Sequence, residues 1–180
     1  MSKRRASLSD RPVVTANTPR PTDDLVMGNG IGVYRSGDAG ETWEQLTDRS
    51  ARIGYPDAVI IHPRQPDTVF MAGAICGPGQ WRQTKTADAR VARSRDGGRR
   101  WEYLEGGLPG HIHGNIEGFT LNVWSGGSVL FAGTTDGDVF LSDDEGDTWS
   151  TIARRIGAIS KGGHHLALPL EEALAGTAAH

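Results

Sequence analysis

Ser36-Gly37-Asp38-Ala39-Gly40-Glu41-Thr42-Trp43 recurs twice, as Ser94-Arg95-Asp96-Gly97-Gly98-Arg99-Arg100-Trp101 and as Ser142-Asp143-Asp144-Glu145-Gly146-Asp147-Thr148-Trp149. Ser, Asp, Gly and Trp keep the same four places each time. The copies begin 58 and 48 residues apart, the spacing of a supersecondary unit of about four strands. Alternating arms lead in (Gly32 to Arg35, Arg90 to Arg93, Asp138 to Leu141) and out (from Trp43, Trp101 and Trp149), so each copy reads as the turn of a hairpin. Asp38, Asp96 and Asp144 have the chemistry to accept backbone N–H bonds inside the turn. Gly40, Gly98 and Gly146 suit a position of positive φ. Each Trp offers a large apolar face to the hairpin and an indole N–H that needs an acceptor.

The repeat extends upstream. Thr68 to Gly73 and Ser128 to Gly133 occupy equivalent places before the second and third copies, and Pro12 to Asn17 fits the same slot before the first. Another strand precedes two of these, Asp57 to His62 and Gly118 to Trp124. The unit is therefore four strands, A to D, with the octapeptide joining C to D. On this reading the first unit lacks strand A, and residues 163–168 in the tail are a candidate replacement. The blades span 12–47, 57–105 and 117–153 within a repeat region of 12–168. Residues 1–11 read as a disordered tail and 169–180 as a C-terminal tail.

Ser-x-Asp-x-Gly-x-Thr-Trp resembles the Asp-box, or BNR, repeat of sialidase-like β-propellers. The middle copy departs from it with Arg100 in the Thr place, on the solvent side. The resemblance implies an all-β propeller of radial, four-stranded antiparallel blades with strand A innermost. It also implies that the boxes lie on the face opposite the usual ligand site. It does not imply one function, because such boxes occur in sialidases, other glycoside hydrolases, sorting receptors and photosystem assembly factors. About three blades are fewer than the usual four to eight. The chain is then a segment of a longer propeller, a half-ring that closes with a second copy into six blades, or a small distorted monomer.

Composition narrows the function classes. The 180 residues carry 19 basic and 22 acidic side chains, a net charge of −3. That balance gives no domain-wide attraction to nucleic acid. The longest apolar runs, such as Ala58-Val59-Ile60-Ile61, are strand-sized and far short of a membrane-spanning helix. One cysteine, Cys76, forms no internal disulfide, and no apolar segment follows the basic start, which points to the cytoplasm. No cofactor motif is present. The expected partner is a polar small molecule, a carbohydrate or a protein, with a homodimer as the ring-closing case.

The D-to-A and B-to-C connections share one face, and loops on a rigid scaffold are where binding residues gather. Arg52 and Tyr55 enter the second unit, Trp81 lies in the long 74–89 connection, and His111-x-His113-x-Asn115-x-Glu117 leads into the third. If extended, that last row turns alternate side chains the same way, toward the channel. It has imidazoles and a carboxylate that a metal would accept, but no further ligands, so no metal is assigned. Lys161 and His164 form a second cluster at the tail strand. Sialidase chemistry would need an arginine cluster and a Tyr nucleophile with an acidic partner; no arginine triad is assignable, and only Tyr55 is suitably placed. A general glycosidase needs two carboxylates, and Asp57 and Glu117 begin neighbouring A strands. A binding or assembly scaffold asks for fewer convergent groups and is the preferred reading, with a sialidase-like glycoside hydrolase as the alternative.

Overall fold

The arms around each octapeptide become the outer strands of three four-stranded antiparallel sheets. A computed structural model describes residues 14–17, 24–47 and 51–160. The first sheet contains β1 (Val14–Asn17), β2 (Leu25–Asn29), β3 (Gly32–Ser36) and β4 (Glu44–Gln45). The second contains β5 (Tyr55–His62), β6 (Gln65–Ala74), β7 (Arg90–Ser94) and β8 (Glu102–Tyr103). The third contains β9 (Ile116–Trp124), β10 (Gly127–Thr134), β11 (Val139–Ser142) and β12 (Ser150–Ala153). Every sheet is a meander, with strands consecutive in sequence paired antiparallel.

The first sheet departs from the sequence expectation. Val14–Asn17 fills the strand A place, not strand B, and strand B is Leu25–Asn29. The register explains it. Leu25 pairs with Ser36 as Val69 pairs with Ser94 and Leu130 with Ser142. Val26-Met27-Gly28 therefore stands where Phe70-Met71-Ala72 and Phe131-Ala132-Gly133 stand in the other sheets. The turn after it takes only Gly30 and Ile31, with Asn29 Oδ1 accepting from the Ile31 N–H at 2.9 Å. The first sheet is thus four-stranded without residues 163–168, which lie outside the described residues. A second difference is the helix α1 (Pro78–Thr84) inside the 74–89 connection. Pro78 suits a first helical turn, and Lys85, at φ 61, ends it.

Both faces of the middle sheet are buried, and strand alternation divides its side chains between two cores. Val59, Ile61, Val69 and Met71 join Val26, Val33 and Ile53 between the first and second sheets. Ala58, Phe70 and Ala72 join Ile116, Phe119, Leu130 and Phe140 between the second and third. A fully buried Phe such as Phe70 contributes about 1.5–3 kcal/mol relative to its exposed state. Strand β5 accordingly lies against β1 and β2 on one side and β9 on the other, so the inner strands β1, β5 and β9 are neighbours.

The boxes are closed hydrogen-bonded turns. In the first, Ser36 Oγ donates to Asp38 Oδ1 and accepts from the Gly40 N–H, each at 2.8 Å. Asp38 also accepts from the Thr42 N–H at 2.8 Å and from its hydroxyl at 2.5 Å. The third box repeats this set around Asp144. In the middle box Arg100 gives Asp96 its backbone N–H at 2.8 Å and has no hydroxyl to add. Trp43 and Trp149 donate to the carbonyls of Gly40 and Gly146 at 3.0 and 2.9 Å. The Trp101 indole N–H is buried without an acceptor.

The second and third boxes also receive the preceding sheet. A Cβ on Gly98 would lie 2.4 Å from Leu46 Cδ1, and one on Gly146 would lie 2.4 Å from Leu104 Cδ1. Arginines on the C strands reach the same turns: Arg35 Nη1 donates to the Gly97 carbonyl at 3.4 Å and Arg93 Nη1 to the Glu145 carbonyl at 2.7 Å. The corresponding residue of the third sheet is Leu141, so this series of guanidinium contacts stops there.

Candidate functional site

The heads of the inner strands meet on the face away from the boxes. Tyr55 opens β5, where its Cα partner is Ala74. Its ring stands edge-on to Trp81 of α1, with centroids 6.2 Å apart and planes at 61°. Glycines make room for it: a Cβ on Gly30 would come within 3.1 Å of the ring, and one on Gly77 within 3.7 Å. Gly54 is required by close approach, since a Cβ there would lie 2.4 Å from the Ile75 carbonyl oxygen. Burial pushes the Tyr55 phenol above its ordinary pKa, and the negative charges of Asp57 and Glu117 push it the same way. The phenol is therefore a protonated hydrogen-bond donor at neutral pH, not an incipient nucleophile.

Asp57 is buried, and its Oδ2 accepts a hydrogen bond from Asn115 Nδ2. This bond fixes the Asn115 amide, because only its nitrogen can donate to a carboxylate. Asn115 Oδ1 is left buried and without a partner. The Asn115 backbone is clamped to the third sheet: its N–H donates to Thr135 Oγ1 at 3.0 Å and its carbonyl accepts from the Thr135 N–H at 2.9 Å. Asn115 thus ties the entrance of β5 to the turn between β10 and β11. Glu117, partly buried on β9, accepts from Ser160 Oγ at 2.5 Å.

Other residues singled out from sequence fall elsewhere. Arg52 does not join Tyr55. Its guanidinium lies 4.7 Å from the Tyr103 ring centroid, its N–H donates to the Tyr103 hydroxyl at 2.7 Å, and its Nη2 bonds Glu105 at 2.7 Å. Tyr103, on β8, is the tyrosine that Arg52 meets. The His111-to-Glu117 row is not extended along its length: β9 starts only at Ile116. The backbone of this segment bonds to residues 87 and 89 instead, with the Ala87 N–H donating to the His113 carbonyl at 2.8 Å and the Ala89 N–H to the Ile112 carbonyl at 3.0 Å. His111 and His113 are exposed while Asn115 is buried. His111 Nδ1 lies 3.1 Å from Asp88 Oδ1. No group of three or more His, Cys, Asp or Glu side chains among the described residues is arranged to hold a metal ion. Lys161 and His164 lie outside the described residues.

Two exposed aliphatic residues that sequence reasoning missed lie next to the segments that hold Tyr55. Ile31, in the tight turn after β2, is 61% exposed, and Ile75, directly after Ala74, is 41% exposed. Both sit beside the glycines and strand positions that hold Tyr55. Large aliphatic side chains at turn tips are a readable signal, but only once the turns are correctly placed.

Three four-stranded sheets with adjacent inner strands make this a β-propeller-type protein, its blades arranged as an arc. Three solved structures to which it is similar agree. A structure of YCF48 bound to D1 peptide superposes with a TM-score of 0.52 at 17% identity, covering 86% of this chain and 46% of that one. YCF48 from Cyanidioschyzon merolae gives 0.52 and 17%, covering 86% and 44%. A GH74 enzyme from Niastella koreensis gives 0.55 and 16%, covering 79% and 22%. The chain thus spans less than half the length of these YCF48 chains and about a fifth of the GH74 chain. At these identities the likeness is one of fold. No protein-family model and no curated protein matches the chain.

Proposed function

We propose that this chain is an Asp-box propeller module that binds a polypeptide segment across its loop face without catalysing a reaction. The observation that carries the reading is the group of exposed Ile31 and Ile75 with half-buried Tyr55 and Trp81, set beside the acidic Asp57 and Glu117. Apolar and aromatic anchors next to fixed charges are what a protein partner uses. A segment with aliphatic and basic side chains fits. Tyr55, half-buried and held protonated, is suited to donating to a partner's polar groups. The YCF48 structure with a D1 peptide is an instance of peptide binding on a similar fold. A photo-crosslinking residue at Ile75 is expected to yield a protein adduct in the native host, while the same residue at Ile152 on the outer strand yields none. Adducts from Ile152 alone, or none from Ile75, would refute the reading.

The alternative, glycoside hydrolysis, would use Asp57 and Glu117 as its carboxylate pair. A panel of aryl-glycosides including a sialoside, assayed beside an Asp57→Asn/Glu117→Gln variant, discriminates. Turnover that disappears in the variant would displace the scaffold reading. Ring closure with a second copy is less well supported, because Leu141 has no guanidinium to offer the first box. Light scattering is expected to give a species near 19.3 kDa, and a stable twofold mass would contradict this.

A further inference from the structure

The two interfaces between blades follow one pattern. Arg35 and Arg93 stand directly before the box serines Ser36 and Ser94. Each donates to the fourth residue of the next box, Arg35 to the Gly97 carbonyl and Arg93 to the Glu145 carbonyl. Arg93 also bonds the carboxylate of Asp147, sixth in that box, at 2.7 Å. Leu46 and Leu104, three places after Trp43 and Trp101, lie over the fifth residues, Gly98 and Gly146, which are buried. In the same two sheets the strand residues paired with Ser94 and Ser142, Val69 and Leu130, are 1% and 0% exposed.

The first box turns the same accepting groups to solvent. Its fourth residue, Ala39, has positive φ like Gly97 and Glu145. Ala39 is exposed, and no donor reaches its carbonyl among the described residues. The sixth residue, Glu41, occupies the place of Asp147. It is exposed and has no hydrogen-bond or ion partner among the described residues. The atoms that a Cβ on Gly40 would meet belong to its own blade, Trp43 at 3.7 Å and Leu25 at 3.8 Å, and Leu25, paired with Ser36, is only half-buried. A carbonyl and a carboxylate in this relation suit a guanidinium, whose charge-assisted bonds are about twice as strong as neutral ones. The third blade does not supply one. Ile152, 53% exposed, stands where Leu46 and Leu104 stand, but Leu141 takes the place of the arginines. A second copy therefore brings the apolar contact without the guanidinium.

We propose that this flank of the first blade docks a blade of a different polypeptide, one with arginine directly before its box serine and leucine three places after its box tryptophan. The arginine donates to the Ala39 carbonyl and the Glu41 carboxylate, and the leucine covers Gly40 and Leu25. A desolvated arginine is a common hot spot of protein interfaces. The surface goes beyond the loop-face reading, since neither Tyr55 nor Ile75 takes part in it.

The third blade, given the two groups it lacks, becomes the probe. Leu141→Arg/Ile152→Leu should associate head to tail, as a twofold-mass ring or a longer chain, with a Kd on the order of 10 µM in analytical ultracentrifugation. The unmodified protein and Ile152→Leu alone should stay near 19.3 kDa. Leu141 is half-buried and Ile152 and Glu41 are exposed, so the variants should fold, which an unchanged urea midpoint verifies. Adding Glu41→Lys to the double variant should weaken its association about tenfold or more. A double variant that remains near 19.3 kDa at about 100 µM would overturn the proposal. So would association that Glu41→Lys leaves unchanged, which would place the contact elsewhere, or equal association of Ile152→Leu alone, which would remove the demand for arginine. The Ile75 crosslink is independent of all these outcomes.

Discussion

Gly98→Ala probes the contact between neighbouring blades. Gly98 has φ +94, and a Cβ there would lie 2.4 Å from Leu46 Cδ1. The left-handed backbone costs an alanine about 1–2 kcal/mol. Overpacking against Leu46 adds about 1–3 kcal/mol, since the leucine must shift within a packed interface. The substitution should therefore destabilise by about 2–5 kcal/mol. Gly37→Ala is the internal control: it has open space around it and no positive φ, so it should be neutral or stabilise by up to about 1 kcal/mol. Urea unfolding followed by tryptophan fluorescence, with an unchanged m-value, measures both. The decisive arm is Gly98→Ala in a Leu46→Ala background, where the crowding is gone and about 1–2 kcal/mol should remain. An identical cost in both backgrounds would mean that Leu46 does not lie over the second box, and the inter-blade reasoning would fail.

Two further outcomes follow from the boxes and their surroundings. Arg100→Thr gives the middle box the hydroxyl that Thr42 and Thr148 supply to theirs, and should raise stability by about 0.5–1 kcal/mol, read as a higher urea midpoint. His62 Nδ1 accepts from the N–H groups of Arg64 and Gln65 at 3.1 and 3.0 Å. Burial lowers its pKa below the ordinary 6.5, with Glu145 opposing and Arg64 and Arg95 assisting. The unfolded chain thus takes up the proton first, so this contribution is present above pH 6.5 and is lost as pH falls through the window below it. The urea midpoint of the unmodified protein should drop more steeply below pH 6.5 than that of His62→Gln; parallel curves would refute the assignment.

Three sheets were legible because a box turn needs rare chemistry in fixed places, and the Ser, Asp, Gly and Trp that meet it survive any change in the arms. The inner strand of the first sheet was not. Val14-Thr15-Ala16-Asn17 is short and resembles a B strand, and the true B strand hides behind Asp24 in a run with a two-residue turn. Register against Ser36, a property of the folded sheet, separates them. Arg52 illustrates a second limit: its partner Tyr103 lies 51 residues away in sequence, and strand alternation says nothing about which loop covers an outer arm. The histidine row failed for a local reason. Its chain bends at Gly114 and enters β9 only at Ile116, so its side chains do not share one face. The contacts of Arg35 and Arg93 with the next box were invisible because an arginine on an alternating arm reads as an ordinary solvent-facing residue.

Amide hydrogen exchange at Val14–Asn17 tests most directly whether each blade supplies all four of its own strands. The pairing of these residues with Leu25 to Gly28 predicts that alternate amides in the segment exchange far more slowly than an open chain, in step with those of β2. Free exchange throughout Val14–Asn17 while Val26 to Asn29 stay protected would contradict it, and the inner place of the first blade would belong to some other strand.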